Sequence, residues 1–294
     1  MKKVVILGCE NSHAHSFLNT MKNYPEDFKD LEVIGVYSDE IAECEKLRNR
    51  YGVDILEDYT SAVGKVDGVI ITARNGDNHY KYAKPYIESG VPMYIDKPIT
   101  NTEEEAVAFV KDLEAHGVCF TGGSTLRHDP NVLKFKEERI NEVDGKTLGG
   151  LDKAPIDSNS AYGGFFFYAP HLVEIVCEMF GRNPKSVKAY KAGISTTVIF
   201  RYEDYDVTGV YTENNYLYYA SRIAEKGARM EKITLGTGRE LDWMYKELKE
   251  YYDILNGAER AMSTEDFLAP VFIANAIKRS IDSGEEEKVN PVIL

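Results

Sequence analysis

The sequence has few of the features that mark disulfide-rich, metal-binding or membrane-spanning proteins. Its 294 residues include only four cysteines, which are scattered and show neither CxxC pairs nor zinc-type spacing. His13 and His15 are two residues apart and share no helix face, so we predict no metal site. No apolar run is long enough to span a bilayer, and the first run is too short for a signal peptide. These absences predict a cytoplasmic, globular protein with reduced cysteines and no membrane partner.

Positive charge is also scarce. The chain carries 35 Lys and Arg against 48 Asp and Glu, which gives a formal net charge of −13 at pH 7. Nucleic acids and anionic membrane surfaces require basic patches, so the charge balance predicts no nucleic-acid partner. A bound anionic cofactor is still compatible with this charge, because a helix N-terminus can hold a phosphate by itself.

Short apolar runs alternate with helical patterns through the first part of the chain. This alternation predicts βαβ units and a parallel sheet, with right-handed crossovers. We therefore expect an α/β fold that begins with a Rossmann-type dinucleotide-binding domain over residues 1–122. The predicted strands are Lys3–Gly8, Leu31–Tyr37, Val66–Ile71, Val91–Ile95 and Val118–Thr121.

After about Gly122 the pattern changes to adjacent β-rich runs over residues 186–235, separated by polar turns. Two helices are predicted before these runs and two after them. This arrangement predicts an α+β domain over residues 123–294 for substrate binding and oligomerisation, with an open, mainly antiparallel sheet. One face of that sheet is rich in Tyr and apolar residues and must be covered, so we expect a homodimer or homotetramer.

The turn after the first predicted strand departs from the dinucleotide pattern G-x-G-x-x-G. Only Gly8 is retained, while Glu10 and His13 stand at the other two glycine positions. Two interpretations remain open. Gly8, Glu10, Asn11 and Ser12 contact the cofactor phosphates, or Asn11 or Ser12 caps the following helix while Glu10 favours the helix dipole.

The end of the second predicted strand carries Ser38 and Asp39. An acidic residue after this strand often binds the adenosine ribose hydroxyls, so both residues are candidate cofactor ligands. Alternatively, Asp39 caps the next helix. The sequence therefore leaves the choice between NAD and NADP open.

The strongest motif joins two strand ends. One strand runs into Thr72-Ala73-Arg74 with His79 beyond, and Lys97 follows eighteen residues later within Tyr94-Ile95-Asp96-Lys97-Pro98. This spacing resembles the pattern T-P-n-x-x-H … G-k-x-V-x-x-E-K-P of the glucose–fructose oxidoreductase / inositol dehydrogenase / MocA (Gfo/Idh/MocA) family. Ala73 stands for the family's proline and Asp96 for its glutamate.

The resemblance implies a function and a set of ligands. It implies an NAD- or NADP-dependent oxidoreductase that acts on a small sugar- or polyol-like substrate. It also implies that Lys97 lies at the reacting centre. The alternative for Lys97 is a solvated surface lysine before a turn. The implied cofactor-binding residues of this motif are Thr72, Ala73, Arg74, His79, Asp96 and Lys97.

A further match lies in the second domain. The stretch from Gly163 to His171 resembles the family's G-G-x-x-x-D-x-G-x-H, but Phe167 replaces the aspartate. The resemblance implies that His171 is a general acid or base, and Tyr168 is placed to assist it. Arg127 resembles a family arginine near the substrate. The alternatives are a structural ion pair for Arg127 and a helix-capping or packed histidine for His171.

Two rival functions remain. The missing glycines and the missing aspartate favour a non-catalytic member that binds or senses a sugar or nucleotide. A second rival holds its cofactor tightly for internal redox chemistry, as in eliminations or inversions. Saturable binding of NADH or NADPH separates the dehydrogenase from the sensor.

Overall fold

Two compact units make up the chain in a computed structural model that describes all residues 1–294. The first contains residues 1–123, 244–267 and 294, and the second contains residues 124–243 and 268–293. A five-stranded parallel sheet lies in the first unit and a seven-stranded, mainly antiparallel sheet lies in the second. The predicted fold class is therefore confirmed.

The first unit is a Rossmann-type sheet with the strand order β2-β1-β3-β4-β5. All four strand pairs are parallel, and every strand predicted here overlaps an observed one. The direction of chain progression reverses between β1 and β3, which is where ligands of open α/β sheets bind. The strands are β1 (Lys2–Leu7), β2 (Leu31–Tyr37), β3 (Gly68–Ile71), β4 (Met93–Asp96) and β5 (Phe120–Gly123), and the helices are α1 (Ser12–Asn23), α2 (Ile41–Tyr51), α3 (Asp77–Ile87) and α4 (Glu103–Ala115).

The core of the first unit explains why its strands are almost wholly apolar. Both faces of a parallel sheet are covered by helices, so strand residues such as Val4 and Ile70 are fully buried. The ring of Phe17 in α1 meets the ring of Tyr94 in β4 edge-on at 5.1 Å. Leu248 and Tyr251, from the late helix α7 (Trp243–Leu255), belong to the same core. The predicted domain boundary after Gly122 assigned this helix to the second domain, whereas residues 244–267 belong to the first unit.

The second unit is built on the strand order β11-β10-β6-β9-β8-β7-β12. Its pairs are antiparallel except β6 with β9, which is parallel. The meander expected for consecutive strands therefore holds for β7-β8-β9 and for β10-β11, but β6 lies between these two groups. Its elements are α5 (Pro130–Ile140), β6 (Thr147–Ile156), α6 (Ala169–Phe180), β7 (Ser186–Ala192), β8 (Ser195–Arg201), β9 (Asp206–Glu213), β10 (Tyr218–Ala224), β11 (Gly227–Ile233), the later part of α8 (Thr264–Ser283) and β12 (Glu286–Lys288).

Strand β6 was not predicted from the sequence. It contains Gly149, Gly150 and Pro155, which disfavour strands in isolation. Pairing along both edges overrides this local preference. Gly150 is needed because a Cβ atom there would lie 2.5 Å from the ring of Phe180.

The two faces of the seven-stranded sheet differ in burial. Phe200 and Tyr211 are fully buried on the face toward α6, where the Tyr211 hydroxyl donates to the Ala169 carbonyl at 2.8 Å. On the other face, Leu151 and Met230 are 40% and 52% exposed. The second unit therefore presents an apolar outer sheet face, defined by the row of paired residues Met230, Ser221, Leu151, Thr208 and Ile199.

No helix in the structure combines the length and the apolar character needed to cross a bilayer.

Candidate functional site

The ends of β1, β2, β3 and β4 bring most of the predicted cofactor residues to one edge of the first sheet. Gly8 follows β1, Ser38 follows β2, Thr72 follows β3, and Asp96 ends β4. Because carboxyl ends of parallel strands meet at one edge, these residues become neighbours despite their distance in sequence. The carboxyl edge of the first sheet is therefore the candidate site of this unit.

Gly8 is fixed by packing within the protein. It adopts a φ of 82°, and a Cβ atom there would lie 2.3 Å from the backbone nitrogen of Ala73. Its N–H donates to the Tyr37 carbonyl at 2.8 Å, and its carbonyl accepts from Thr72 Oγ1 at 3.1 Å. The first turn is thus tied to both neighbouring strands, and the retained glycine serves the close approach of two backbones.

Asn11 is the N-cap of α1. Its Oδ1 accepts from the His13 N–H at 3.2 Å, and its Nδ2 donates to Asp96 Oδ2 at 2.8 Å. Ser12 is exposed and only donates weakly to Asn11 Oδ1 at 3.4 Å. Of the two residues proposed as caps, the structure gives this place to Asn11, and the same side chain reaches across to the end of β4.

Glu10 makes an unexpected link across three strands. Its Oε2 accepts from the Ser38 hydroxyl at 2.7 Å, and its Oε1 accepts from the Arg74 N–H at 3.0 Å. The side chain is almost buried, at 7% exposure. The residue at the second glycine position therefore places a carboxylate where the ends of β1, β2 and β3 meet.

Asp39 does not cap helix α2. Its carboxylate accepts from the Tyr37 hydroxyl at 2.6 Å and from the Tyr82 hydroxyl at 3.1 Å, and the Tyr37 bond holds the pKa of Asp39 below its ordinary value. The N-cap of α2 is Glu40, which has no side-chain capping bond, although its N–H donates to Ser38 Oγ at 3.1 Å. The proposal that Asp39 caps α2 is wrong, because tyrosine hydroxyls bind both of its oxygens.

Asp96 is the centre of a buried network. Its Oδ2 lies 2.8 Å from His13 Nδ1 and accepts from Asn11, while its Oδ1 accepts from the Lys97 N–H at 2.7 Å. Burial alone would raise the pKa of this carboxyl, but His13, with Lys97 and His79, holds it below the ordinary value. The aspartate of the Asp-Lys-Pro motif therefore acts within the protein as a charged anchor for α1.

Lys97 is buried, with 4% of its surface exposed, and precedes a cis peptide bond to Pro98. Burial lowers the pKa of Lys97, Asp96 opposes this shift, and the charge of Arg74 adds to it. The alternative of a solvated surface lysine is therefore wrong. A buried cation with a lowered pKa at a strand end is the kind of group that enzymes use for proton transfer.

His79 connects two segments of the edge. Its Nε2 lies 2.9 Å from the Ala73 carbonyl oxygen, and its Nδ1 lies 3.2 Å from that of Ile99. The ring is fully buried, and burial lowers the pKa of His79. The motif histidine thus joins the loop after β3 to the segment that follows Lys97.

In the second unit, His171 lies in the first turn of α6. Its Nδ1 is 2.8 Å from the hydroxyl of Ser124, and its ring meets that of Tyr168 at 5.8 Å. Tyr168 also contacts Phe167, whose ring centroid lies 4.7 Å away. The phenylalanine at the family's aspartate position therefore belongs to an aromatic cluster around Tyr168.

Arg127 is 6% exposed and lies in a charged group with Glu174. Burial raises the pKa of Glu174, and the charges of Arg182 and Arg127 oppose that shift. Glu174 also accepts from the Ser124 N–H at 3.3 Å. The ion-pair interpretation of Arg127 thus has electrostatic support.

Sequence reasoning missed two connections. The pairing of Ser124 with His171 joins residues 47 positions apart, and the pairing of Ser38 with Glu10 joins residues 28 positions apart. In the sequence these residues stand out only as polar side chains next to predicted strands or helices. Only the tertiary fold shows which of these polar residues meet.

The first sheet edge fits an anionic dinucleotide. The first turn of α1 itself contains no acidic residue, although the Asp96 carboxylate contacts Asn11 and His13 at this end of the helix. Arg74 and Lys97 add two cationic side chains, and the charge of Arg74 acts on Lys97. The N-terminus of α1 and Arg74 would hold the phosphates, while Lys97 lies at the end of β4 and the Glu10 carboxylate lies next to the Arg74 backbone.

Comparisons with known proteins agree with this geometry. Residues 2–124 match the sequence model of an oxidoreductase family with an NAD-binding Rossmann fold, Gfo/Idh/MocA. No curated protein matched significantly.

Solved structures match the full length of the chain. A putative myo-inositol dehydrogenase from Sinorhizobium meliloti is 17% identical, with a TM-score of 0.79 and coverage of 99% of this chain and 100% of that one. A probable dehydrogenase from Thermotoga maritima is 14% identical, with a TM-score of 0.83 and coverage of 99% and 100%. GenD2 from gentamicin A biosynthesis, solved with NAD, is 15% identical, with a TM-score of 0.82 and coverage of 98% and 96%. At these identities the likeness shows a shared fold. Residues 2–124 are thus similar to the NAD-binding Rossmann domain of the Gfo/Idh/MocA oxidoreductases, and nearly the whole chain shares the fold of these solved structures.

Proposed function

We propose that this chain is an NAD- or NADP-dependent oxidoreductase that transfers hydride to or from an oxygen-bearing carbon of a small sugar- or polyol-like substrate. The observation that carries the proposal is Lys97, a buried lysine beside Asp96 at the carboxyl end of β4. The family match supports the reaction class. The similarity to a putative myo-inositol dehydrogenase supports a polyol, and the similarity to a structure that contains NAD supports the cofactor.

Lys97 is the group that we assign to the reacting oxygen. A bound nicotinamide supplies the hydride chemistry. The Lys97 ammonium donates a hydrogen bond to the substrate oxygen, and its pKa, lowered by burial, eases release of a proton. Asp96 favours the protonated form of the lysine and so opposes the effect of burial on its pKa.

His171 stays the predicted general acid or base, with Tyr168 as its predicted assistant and Arg127 as the predicted substrate-orienting residue. Imidazole suits proton transfer near neutral pH. The Ser124 hydroxyl, 2.8 Å from Nδ1, supports this role because it orients the imidazole ring.

The proposal is tested by binding first and turnover second. The purified protein is titrated with NADH and NADPH by nicotinamide fluorescence, and polyols are then screened as substrates. Lys97→Ala should lower kcat/KM about 10²- to 10⁴-fold while the protein stays folded. Lys111→Ala, on an exposed position of α4, is the matched control. Full activity of Lys97→Ala would remove the lysine from the reaction.

A non-catalytic binding or sensing role is the second candidate. It is favoured by Phe167, which fills the family's aspartate position with an aromatic contact to Tyr168. A folded protein that binds sugar but shows no saturable binding of either nucleotide would establish that role in place of the dehydrogenase.

We also propose that the outer sheet face of the second unit is covered by another copy of this chain, as a homodimer or homotetramer. Leu151 and Met230 are exposed on this face, and large apolar patches on a sheet are normally buried by association.

A cytoplasmic location is proposed from the thiols. Cys9 and Cys44 are free cysteines whose Sγ atoms lie 3.2 Å apart, which suits a reducing compartment.

A further inference from the structure

The carboxylate of Glu10 occupies a position with a specific chemical meaning. The residue after β2 in a dinucleotide-binding sheet usually supplies the carboxylate that binds the adenosine ribose hydroxyls. In this chain that residue is Ser38, which donates its own hydroxyl to Glu10 at 2.7 Å. The carboxylate at the end of β2 is therefore contributed by the turn after β1.

Glu10 is held in one orientation but keeps acceptor capacity. The Ser38 hydroxyl binds Oε2, and the Arg74 N–H binds Oε1. An ionised carboxylate has about four acceptor sites, so two donors leave room for about two more. A vicinal diol, with two hydroxyl donors, matches that remaining capacity.

Asp39, the other acidic residue at this strand end, is already bound. The hydroxyls of Tyr37 and Tyr82 donate to its two oxygens. Its side chain is also the more exposed of the two carboxylates. A charge held at 7% exposure is screened less by solvent than an exposed one, so Glu10 has the stronger effect on a ligand.

The same carboxylate distinguishes two closely related ligands. NADP differs from NAD by a phosphate on the ribose 2′-hydroxyl, which replaces a hydrogen-bond donor with about two negative charges. A fixed carboxylate accepts from the hydroxyl and repels the phosphate, so one group supplies both attraction and rejection.

We propose that Glu10 binds the adenosine ribose diol and makes this protein selective for NAD over NADP. The inference rests on the proposed function, because it concerns the cofactor of that reaction. It assigns the substituted glycine position a role in specificity, in place of the close approach to pyrophosphate that a glycine would allow.

The test measures binding of NADH and NADPH by nicotinamide fluorescence to the full-length protein. Wild type should bind NADH at least about tenfold more tightly than NADPH, a ratio that corresponds to one charged contact. Glu10→Gln keeps the size of the side chain and removes its charge, so the ratio should fall about tenfold. Glu10→Asp keeps the charge and should retain the NADH preference. Glu43→Gln, on the neighbouring helix α2, makes the same chemical change away from the turn and should leave the ratio unchanged.

Salt dependence gives a second readout that needs no variant. Raising the ionic strength should weaken the rejection of NADPH by wild type only slightly, because a carboxylate at 7% exposure is screened much less than an exposed one. An unchanged ratio in Glu10→Gln, an NADPH preference in wild type, or loss of discrimination in Asp39→Asn alone would each overturn the assignment while leaving the proposed function intact. Failure of the folded wild type to bind either nucleotide would overturn the proposed function and this inference together.

Discussion

The Nδ1 atom of His13 lies 2.8 Å from Oδ2 of Asp96, and this contact joins the first turn of α1 to the end of β4. His13 stands at the third glycine position of the dinucleotide pattern, where a small residue normally lets the helix pack on the strand. Here an imidazole fills that space and meets a fully buried carboxylate. The two departures from the family pattern, a histidine for a glycine and an aspartate for a glutamate, thus form one contact.

His13→Ala should destabilise the first unit, because it removes the imidazole that contacts the buried Asp96 carboxylate. We expect a loss of about 3 kcal/mol in the free energy of unfolding, measured by urea denaturation. The pKa of Asp96 is held below its ordinary value, so its contribution is present above about pH 4 and is lost in more acidic solution. The effect of the substitution should therefore shrink in acid. His116→Ala, at an exposed position near Asp112, should change stability by less than about 1 kcal/mol, and equal losses in the two variants would contradict the role of His13.

Ser124→Ala should slow the reaction without preventing substrate binding. It removes the hydroxyl beside His171 Nδ1, so the ring loses the contact that orients it. One hydrogen bond is worth about 1 kcal/mol, which corresponds to a decrease in kcat of up to about tenfold with little change in KM. The pH profile of kcat should shift as well, and Ser124→Thr should restore part of the rate. Ser283→Ala, at the exposed end of α8, is the control, and an unchanged pH profile in Ser124→Ala would exclude a positioning role for Ser124.

Asp152 should make the second unit less stable at alkaline pH. Its Oδ1 accepts from the Ser221 N–H at 2.8 Å, its Oδ2 has no hydrogen-bond partner, and burial raises the pKa of Asp152 to about 8. The folded state therefore binds this proton more tightly than the unfolded state does. It follows that stability falls as the pH rises from about 4 to about 8, by a few kcal/mol at most.

Asp152→Asn should remove this dependence. The amide is neutral at every pH and keeps an acceptor for the Ser221 N–H, so the unfolding temperature of the variant should exceed that of wild type at pH 8.5. Asp204→Asn, at an exposed turn, should follow the wild-type curve. If Asp152→Asn and wild type lose stability in parallel with rising pH, the carboxyl is not the group responsible.

If the proposed oligomer forms through the outer sheet face, Leu151→Glu combined with Met230→Glu should convert it into a monomer. The two side chains lie in one row across β6, β10 and β11, and they are 40% and 52% exposed. Two carboxylates buried against their own symmetry copies would be costly. Sedimentation would show the change in mass, and circular dichroism would show that the fold persists. A wild-type protein that sediments as a monomer would refute the association itself.

The fold was largely predictable because its signals are local. The strand Leu31–Tyr37 was predicted with its observed bounds. Strand β6 was missed because its glycines and proline carry no strand signal. Its place in the sheet depends on pairing with β9 and β10, which are distant in sequence.

The candidate site was predictable in its location but not in its contacts. The motif placed Lys97 and Asp96 at a strand end, and the structure shows both there. No local sequence pattern indicated that the Asp96 carboxylate would contact His13 and Asn11. None indicated that the Ser38 hydroxyl would donate a hydrogen bond to Glu10. Such contacts follow from the geometry of neighbouring strand ends, which a single sequence does not encode position by position.

The return of residues 244–267 to the first unit has a consequence for how the chain is made. Leu248 is fully buried in the core of that unit, and a Cβ atom on Gly68 would lie 2.3 Å from the Tyr251 hydroxyl oxygen, so the early strand and the late helix are shaped for each other. During synthesis on the ribosome, residues 1–123 emerge first but lack this helix. The Rossmann unit therefore remains incomplete, with part of its apolar surface uncovered, until residues 244–267 have also been translated.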